Sequence, residues 1–147
     1  MLPSGYHQYH AEAAFTRAVR ARRKASFVNL LRRCGAEARR LPVYDERRAG
    51  ARRMPMIPGR HEIPVDAIRA TIEPNRAEQF DAEFRPAKTT RQRWERVWLA
   101  EDTGTVLPPI VVVPVDGGFA LRDGHHRVSV ARARGVVTID AIVDGAV

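Results

Sequence analysis

The chain has 147 residues, 44% of them apolar, and a formal net charge of +8 at pH 7, which suits one small domain with a single core. No run approaches the roughly 20 apolar residues of a membrane span, and the start Met-Leu-Pro-Ser-Gly-Tyr-His lacks a signal peptide's apolar segment, so a cytosolic location without a membrane partner is expected. The single Cys34 excludes an internal disulfide and a cysteine-rich zinc site.

Charge is unevenly placed. Residues 1–60 hold 14 Lys and Arg against 4 Asp and Glu, whereas residues 61–147 hold 11 against 13. In the first part, Phe15, Val19, Phe27, Leu30 and Leu31 give a broad apolar side to a predicted helix over residues 12–33. Arg23 and Arg33 project near the same sector, which argues against a clean membrane-surface helix. The expected arrangement lays Leu30 and Leu31 on the core or on a second subunit, in a homodimer, with arginines snorkelling outward. Cys34 follows Phe27, Leu30 and Leu31 at helical spacing, so a packed side chain is preferred to a reactive thiol. Doublets such as Arg22-Arg23-Lys24, Arg32-Arg33, Arg39-Arg40, Arg47-Arg48 and Arg52-Arg53 suit the tracking of nucleic-acid phosphates. Arg outnumbers Lys by 23 to 2, a bias that GC-rich coding also produces. DNA, RNA or another protein are the open partners for this arm. Residues 35–60, rich in Arg, Pro and Gly, read as a linker ordered in part, which makes residues 1–60 a basic extension and residues 61–147 the domain.

In the middle, residues 76–84 place Phe80 and Phe84 four apart, as in a short helix that Pro86 interrupts. Thr89-x-x-Gln92 offers a capping box for a helix carrying Trp94, Val97 and Trp98 on one face. These aromatics are expected in the core, with base stacking by Trp94 or Trp98 as the alternative. Glu101-Asp102-Thr103-Gly104 reads as a loop returning to Pro108-Pro109.

The last third is β-rich. Residues 110–115 (Ile-Val-Val-Val-Pro-Val) read as a buried strand, Asp116-Gly117-Gly118 as a hairpin turn and residues 119–122 as the returning strand. Asp123-Gly124-His125-His126-Arg127 then opens a helix with Val128, Ala131 and Ala133 near 3.6-residue spacing, stopped by Gly135. Residues 137–143 form a final strand beside residues 110–115. Amides at a helix start point outward and carry about half a positive charge, so an anion at Gly124 gains hydrogen bonds and dipole energy, and Arg127 can add a bidentate contact. The plainer alternative makes Asp123 a helix cap beside solvated histidines. No metal site stands out, because His125 and His126 are adjacent and expected to diverge and His61 is distant in sequence.

Residues 107–113 and 119–135, with the Gly124-His-His-Arg127 segment between strand and helix, resemble the nucleotide-binding core of the ParB/sulfiredoxin superfamily. The resemblance runs over about residues 61–144, with residues 61–68 similar to the first strand and its turn and residues 80–98 to intervening helices. Residues 1–60, including residues 41–47, resemble the amino-terminal extension of single-domain actinobacterial ParB-like proteins. It implies a small α/β (α+β) fold, a mixed sheet flanked by helices, and a nucleotide phosphate held by Asp123, Gly124, His125, His126 and Arg127. His125 stands where sulfiredoxins carry their reactive cysteine, so that activity is not expected. Free serine kinases of the superfamily carry an Asp-Gly-His segment like Asp123-Gly124-His125.

Two classes of function follow. One is a nucleotide-binding module for CTP, ATP or ADP, with Mg²⁺ as an accompanying ion, associated with DNA through Arg22, Arg23, Lys24, Arg32 and Arg33. The other is a small phosphotransferase in which His125 or His126 stabilises the transferred group and Glu73 or Asp123 acts as base or Mg²⁺ ligand.

Overall fold

The computed structural model describes residues 4–32, 40–45 and 57–144. Its elements are α1 (Ser4–Leu31), β1 (Gly59–Pro64), β2 (Ile68–Thr71), α2 (Arg91–Asp102), β3 (Ile110–Val115), β4 (Gly118–Asp123), α3 (His125–Arg134) and β5 (Thr138–Val143), with short 3-10 turns before β2 and α2 and after β2. The expected mixed α/β architecture is present.

The β-branched run of β3 and the Asp116-Gly117 turn make the hairpin with β4, in which Val113 faces Ala120. The five strands lie in the order β1-β5-β3-β4-β2. β5 is parallel to β3 and β2 is parallel to β4, whereas β1 is antiparallel to β5. Because β5 pairs with β3 and not with β4, α3 must cross the sheet between them. Its Val128 and Ala131 join Ile110, Val112, Leu121 and Ala141 in the main core, and its Val130 joins a second cluster with Phe15, Trp94 and Trp98. Trp94 donates from Nε1 to Ser129 Oγ at 2.8 Å and stacks on Trp98, so both indoles serve the core.

Several expectations change. Residues 76–84 are not an α-helix. Asp81 Oδ1 accepts from the backbone amides of Glu83 and Arg85, and Phe84 adopts φ 61°, so side-chain-to-backbone bonds win over helix formation. Phe80 and Phe84 still reach the core. The Thr89/Gln92 capping box does not form: α2 grows from a 3-10 turn, and its boundary residue Thr90 bonds back to the Ala87 carbonyl at 2.7 Å. α1 starts at Ser4, ahead of residue 12, and buries Ala11, Ala14, Phe15 and Val19 against α2 and α3. Leu30 and Leu31 do not lie on the core; both are exposed, as is Phe27. Nearby, Leu41 enters the main core, and residues 42–44 run beside β2, with Tyr44 N bonded to Thr71 O at 2.8 Å and Thr71 N to Pro42 O at 2.9 Å. Arg33, Cys34, Arg39, Arg47, Arg48, Arg52 and Arg53 lie outside the described residues.

Candidate functional site

The β4–α3 junction is a glycine turn. Gly124 has φ 107°, and a Cβ there would stand 2.5 Å from Ile110 Cγ2 and 3.2 Å from an Arg127 guanidinium nitrogen, so the position needs glycine for both conformation and space. Val128 N is bonded to Gly124 O at 3.0 Å, which begins the helical ladder and leaves the amides of His125, His126 and Arg127 without intrahelical acceptors. Asp123 is not the cap: Gly124 is the boundary residue, and the Asp123 carboxylate lies 3.1 Å from the Arg127 guanidinium.

The junction faces a cleft of about 220 Å³ whose walls include Asp123, Gly124, His125, His126 and Arg127, the five residues the motif singled out. Leu107 and Pro108 close one side, and Arg76 and Arg93 arrive from distant elements. Neither Arg76 nor Arg93 was legible as a site residue. Each is one arginine among many, and the elements carrying them reach α3 only through the tertiary fold. Among the described residues neither has a carboxylate partner; Arg76 donates to Gln79 Oε1 at 3.1 Å.

The two histidines are neither solvated nor divergent. Their side chains pack on Phe80, His125 stacked at 6.1 Å between ring centroids and His126 edge-on at 5.4 Å. His125 Nε2 shares a hydrogen bond with Thr71 Oγ1 at 2.7 Å, and that hydroxyl also takes the Glu73 amide at 2.9 Å. Burial, and then the charges of Arg76 and His126, pull His125 down to about 4 despite an opposing pull from Asp123. His126 falls to about 4 through burial and the charges of Arg93 and Arg76. At neutral pH both rings are uncharged, so the positive field of the cleft comes from the arginines and the helix start.

Arg127 is half a structural residue. One terminal nitrogen donates to the carbonyls of Pro108 and Pro109, and the other to Asp123. It thereby clamps the loop that enters β3 onto the first turn of α3. Glu73 is exposed and does not line the cleft. Arg23 and Lys24 on α1 and Arg32 just after it are exposed, whereas Arg22 turns toward the protein and donates to Glu78 O at 3.3 Å.

No family model matches the chain, and no curated protein matches it. Among solved structures, the chain is similar to sulfiredoxin from Arabidopsis thaliana. The two are 21% identical, with a TM-score of 0.44 over 61% of this chain and 85% of that one. At that TM-score the similarity bears on neither the site nor the chemistry.

Proposed function

We propose that the chain is a nucleotide-binding module that holds a phosphate tail against the first turn of α3. The observation that carries the reading is the convergence of Arg76 and Arg93, both without a carboxylate partner among the described residues, on a helix start whose first amides have no intrahelical acceptor. An anion there gains charge-assisted bonds for which the protein offers, on Arg76, only the neutral Gln79 oxygen and, on Arg127, the Asp123 carboxylate with the Pro108 and Pro109 carbonyls. A second hollow of about 360 Å³ shares Leu107, Pro108 and Arg127 with the first and offers room for a nucleoside beside the phosphates. The resemblance of the motif to the ParB/sulfiredoxin superfamily points the same way. Mg²⁺ would arrive on the phosphates, since no cluster of three His, Cys, Asp or Glu occurs among the described residues.

Association with DNA or RNA through α1 is the finer part of the proposal. Its support is that residues 13–32 carry six Lys and Arg and no Asp or Glu.

Calorimetric titration with CTP, ATP and ADP, each with Mg²⁺, tests the site. Arg93→Ala should weaken binding by about 1.5 to 3 kcal/mol, the worth of a charge-assisted bond, without disturbing the fold, because that side chain is exposed. Asp123→Asn should strengthen binding, because it frees one guanidinium nitrogen of Arg127 and removes the one carboxylate that lines the cleft among the described residues. Affinity unchanged in both variants would rule the cleft out. The nucleotide that binds is then incubated with the protein to look for phosphate transfer, the reaction that the phosphotransferase reading requires.

A further inference from the structure

The outer face of α1 has a pattern that neither the core nor the cleft uses. Tyr6, Tyr9, Phe27 and Leu30 are 46%, 69%, 60% and 58% exposed, at the two ends of one 28-residue helix. Between them lie Ala13 and Thr16, and then Arg20 and Arg23. These eight positions step by three and four residues in strict alternation, the spacing of a coiled-coil seam. The opposite side of the helix, Ala11, Phe15 and Val19, is already buried against α2 and α3. The seam is exposed at six of these positions and half-buried at Ala13 and Thr16, where the helix turns toward its neighbours.

We propose that this face docks on the same face of a second copy, with the two α1 helices antiparallel about a two-fold axis. The reason is self-complementarity, which an isologous interface demands. Turned end for end, Tyr6 meets Leu30 of the other copy and Tyr9 meets Phe27. Ala13 then meets Arg23 and Thr16 meets Arg20, so each long arginine stem lies over a small side chain and its head reaches the edge. A parallel arrangement would instead set Arg20 on Arg20 and Arg23 on Arg23. At roughly 200 Å² for each large side chain, the four anchors together with Leu31, 68% exposed, present about 600 Å² per copy. That approaches the roughly 800 Å² per partner of a standard interface. Against association stands charge, because Arg17, Arg20, Arg23 and Lys24 lie on or beside the seam and residues 13–32 hold no carboxylate. The dimer must therefore tighten as salt screens that repulsion, the reverse of what an acidic partner or a nucleic acid would show on this surface.

Sedimentation of the full chain across a salt series reads both the mass and the sign. The expected result is a species of twice the 16.5 kDa chain mass whose proportion rises with salt. Leu30→Glu, at an exposed position, should return it to 16.5 kDa with an unchanged circular dichroism spectrum. Orientation is read by oxidation in a Cys34→Ser background. A mixture of the Tyr6→Cys and Leu30→Cys chains should form the mixed disulfide, and neither chain should couple to itself. A chain that stays monomeric at high salt, association that weakens with salt, or self-coupling of the Tyr6→Cys chain would each overturn the proposal.

Discussion

At the scale of single residues, the histidine pair shows how burial redirects chemistry. In the sequence, His125 and His126 look like phosphate ligands or solvated neighbours. In the fold, Phe80 and Thr71 hold them in a dry, cationic setting that keeps them neutral. This has a cost in acid. The unfolded chain takes up protons on both rings as pH drops below the ordinary histidine value of 6.5, whereas the folded chain excludes them until about 4. Stability should therefore fall through that interval and level off below it. At about 1.4 kcal/mol for each pH unit of displacement, the loss is on the order of 3 kcal/mol per histidine. Asp102, held low by its hydrogen bond to His7, and Asp140, held low by Arg60, act below the usual carboxyl range, whereas burial raises the carboxyls of Glu95 and Glu101, which take up protons earlier in the folded chain and offset part of the histidine loss. Urea unfolding at pH 7, 6 and 5 measures the slope, which His126→Phe should make shallower by one histidine's share. An equal slope in that variant would mean the rings are not the groups excluded from water.

At the scale of elements, α1 divides into two halves with different roles. Its first half is a structural buttress. Phe15, 1% exposed, packs edge-on to Trp94 at 5.5 Å and lies under the Arg91 guanidinium. Through Trp94 it steadies α2, which carries Arg93 to the cleft. Phe15→Ala should lower stability by about 3 to 5 kcal/mol, read as a fall in the urea midpoint. Phe27→Ala, on the exposed half, should change it by less than about 0.5 kcal/mol at concentrations where the chain is monomeric. Comparable losses in the two would mean that the second half of α1 is also packed. The same elements explain how much of the site was readable. The β3–β4 hairpin, the glycine turn and α3 are contiguous, so turn chemistry and periodicity exposed them in order. Arg76, Arg93, Thr71 and Phe80 come from separate segments, and no local pattern ties any of them to Gly124.

At the scale of the whole molecule, the basic arm and the domain are packed together. Phe15 belongs to one core cluster and Leu41 to the other. Removing residues 1–60 would strip both clusters, so exposed arginines are the better probe of nucleic-acid contact. If α1 binds nucleic acid, gel shifts should show little sequence preference, with affinity falling on a log–log salt slope of about −0.9 per phosphate neutralised on duplex DNA. Replacing Arg23, Lys24 and Arg32 together by Ala should flatten that slope while leaving nucleotide affinity unchanged. The absence of any shift at low salt would leave α1 as a protein-docking face.

The sequence by itself determined the last three strands, the hairpin, the start and stop of α3, and the residues that stand at its first turn; β2, four residues long, carried no such signal. Each is dictated over a few neighbouring positions by β-branching, glycine conformation or apolar period. It also placed Trp94 and Trp98 inside, because few other large side chains were at hand to fill a core. Only the tertiary structure decided what that turn faces. The neutral state of His125 and His126 follows from rings and arginines brought in from other elements. The loss of the expected helix over residues 76–84 follows from Asp81, whose carboxylate satisfies the backbone amides that a helix would otherwise have used. Burial of the Ala11, Phe15 and Val19 side of α1, with Phe27, Leu30 and Leu31 left outside, was settled by packing on Trp94, Trp98 and Val130 of α2 and α3. An apolar side on a helix fixes that something can cover it, and only its neighbours in space fix what does.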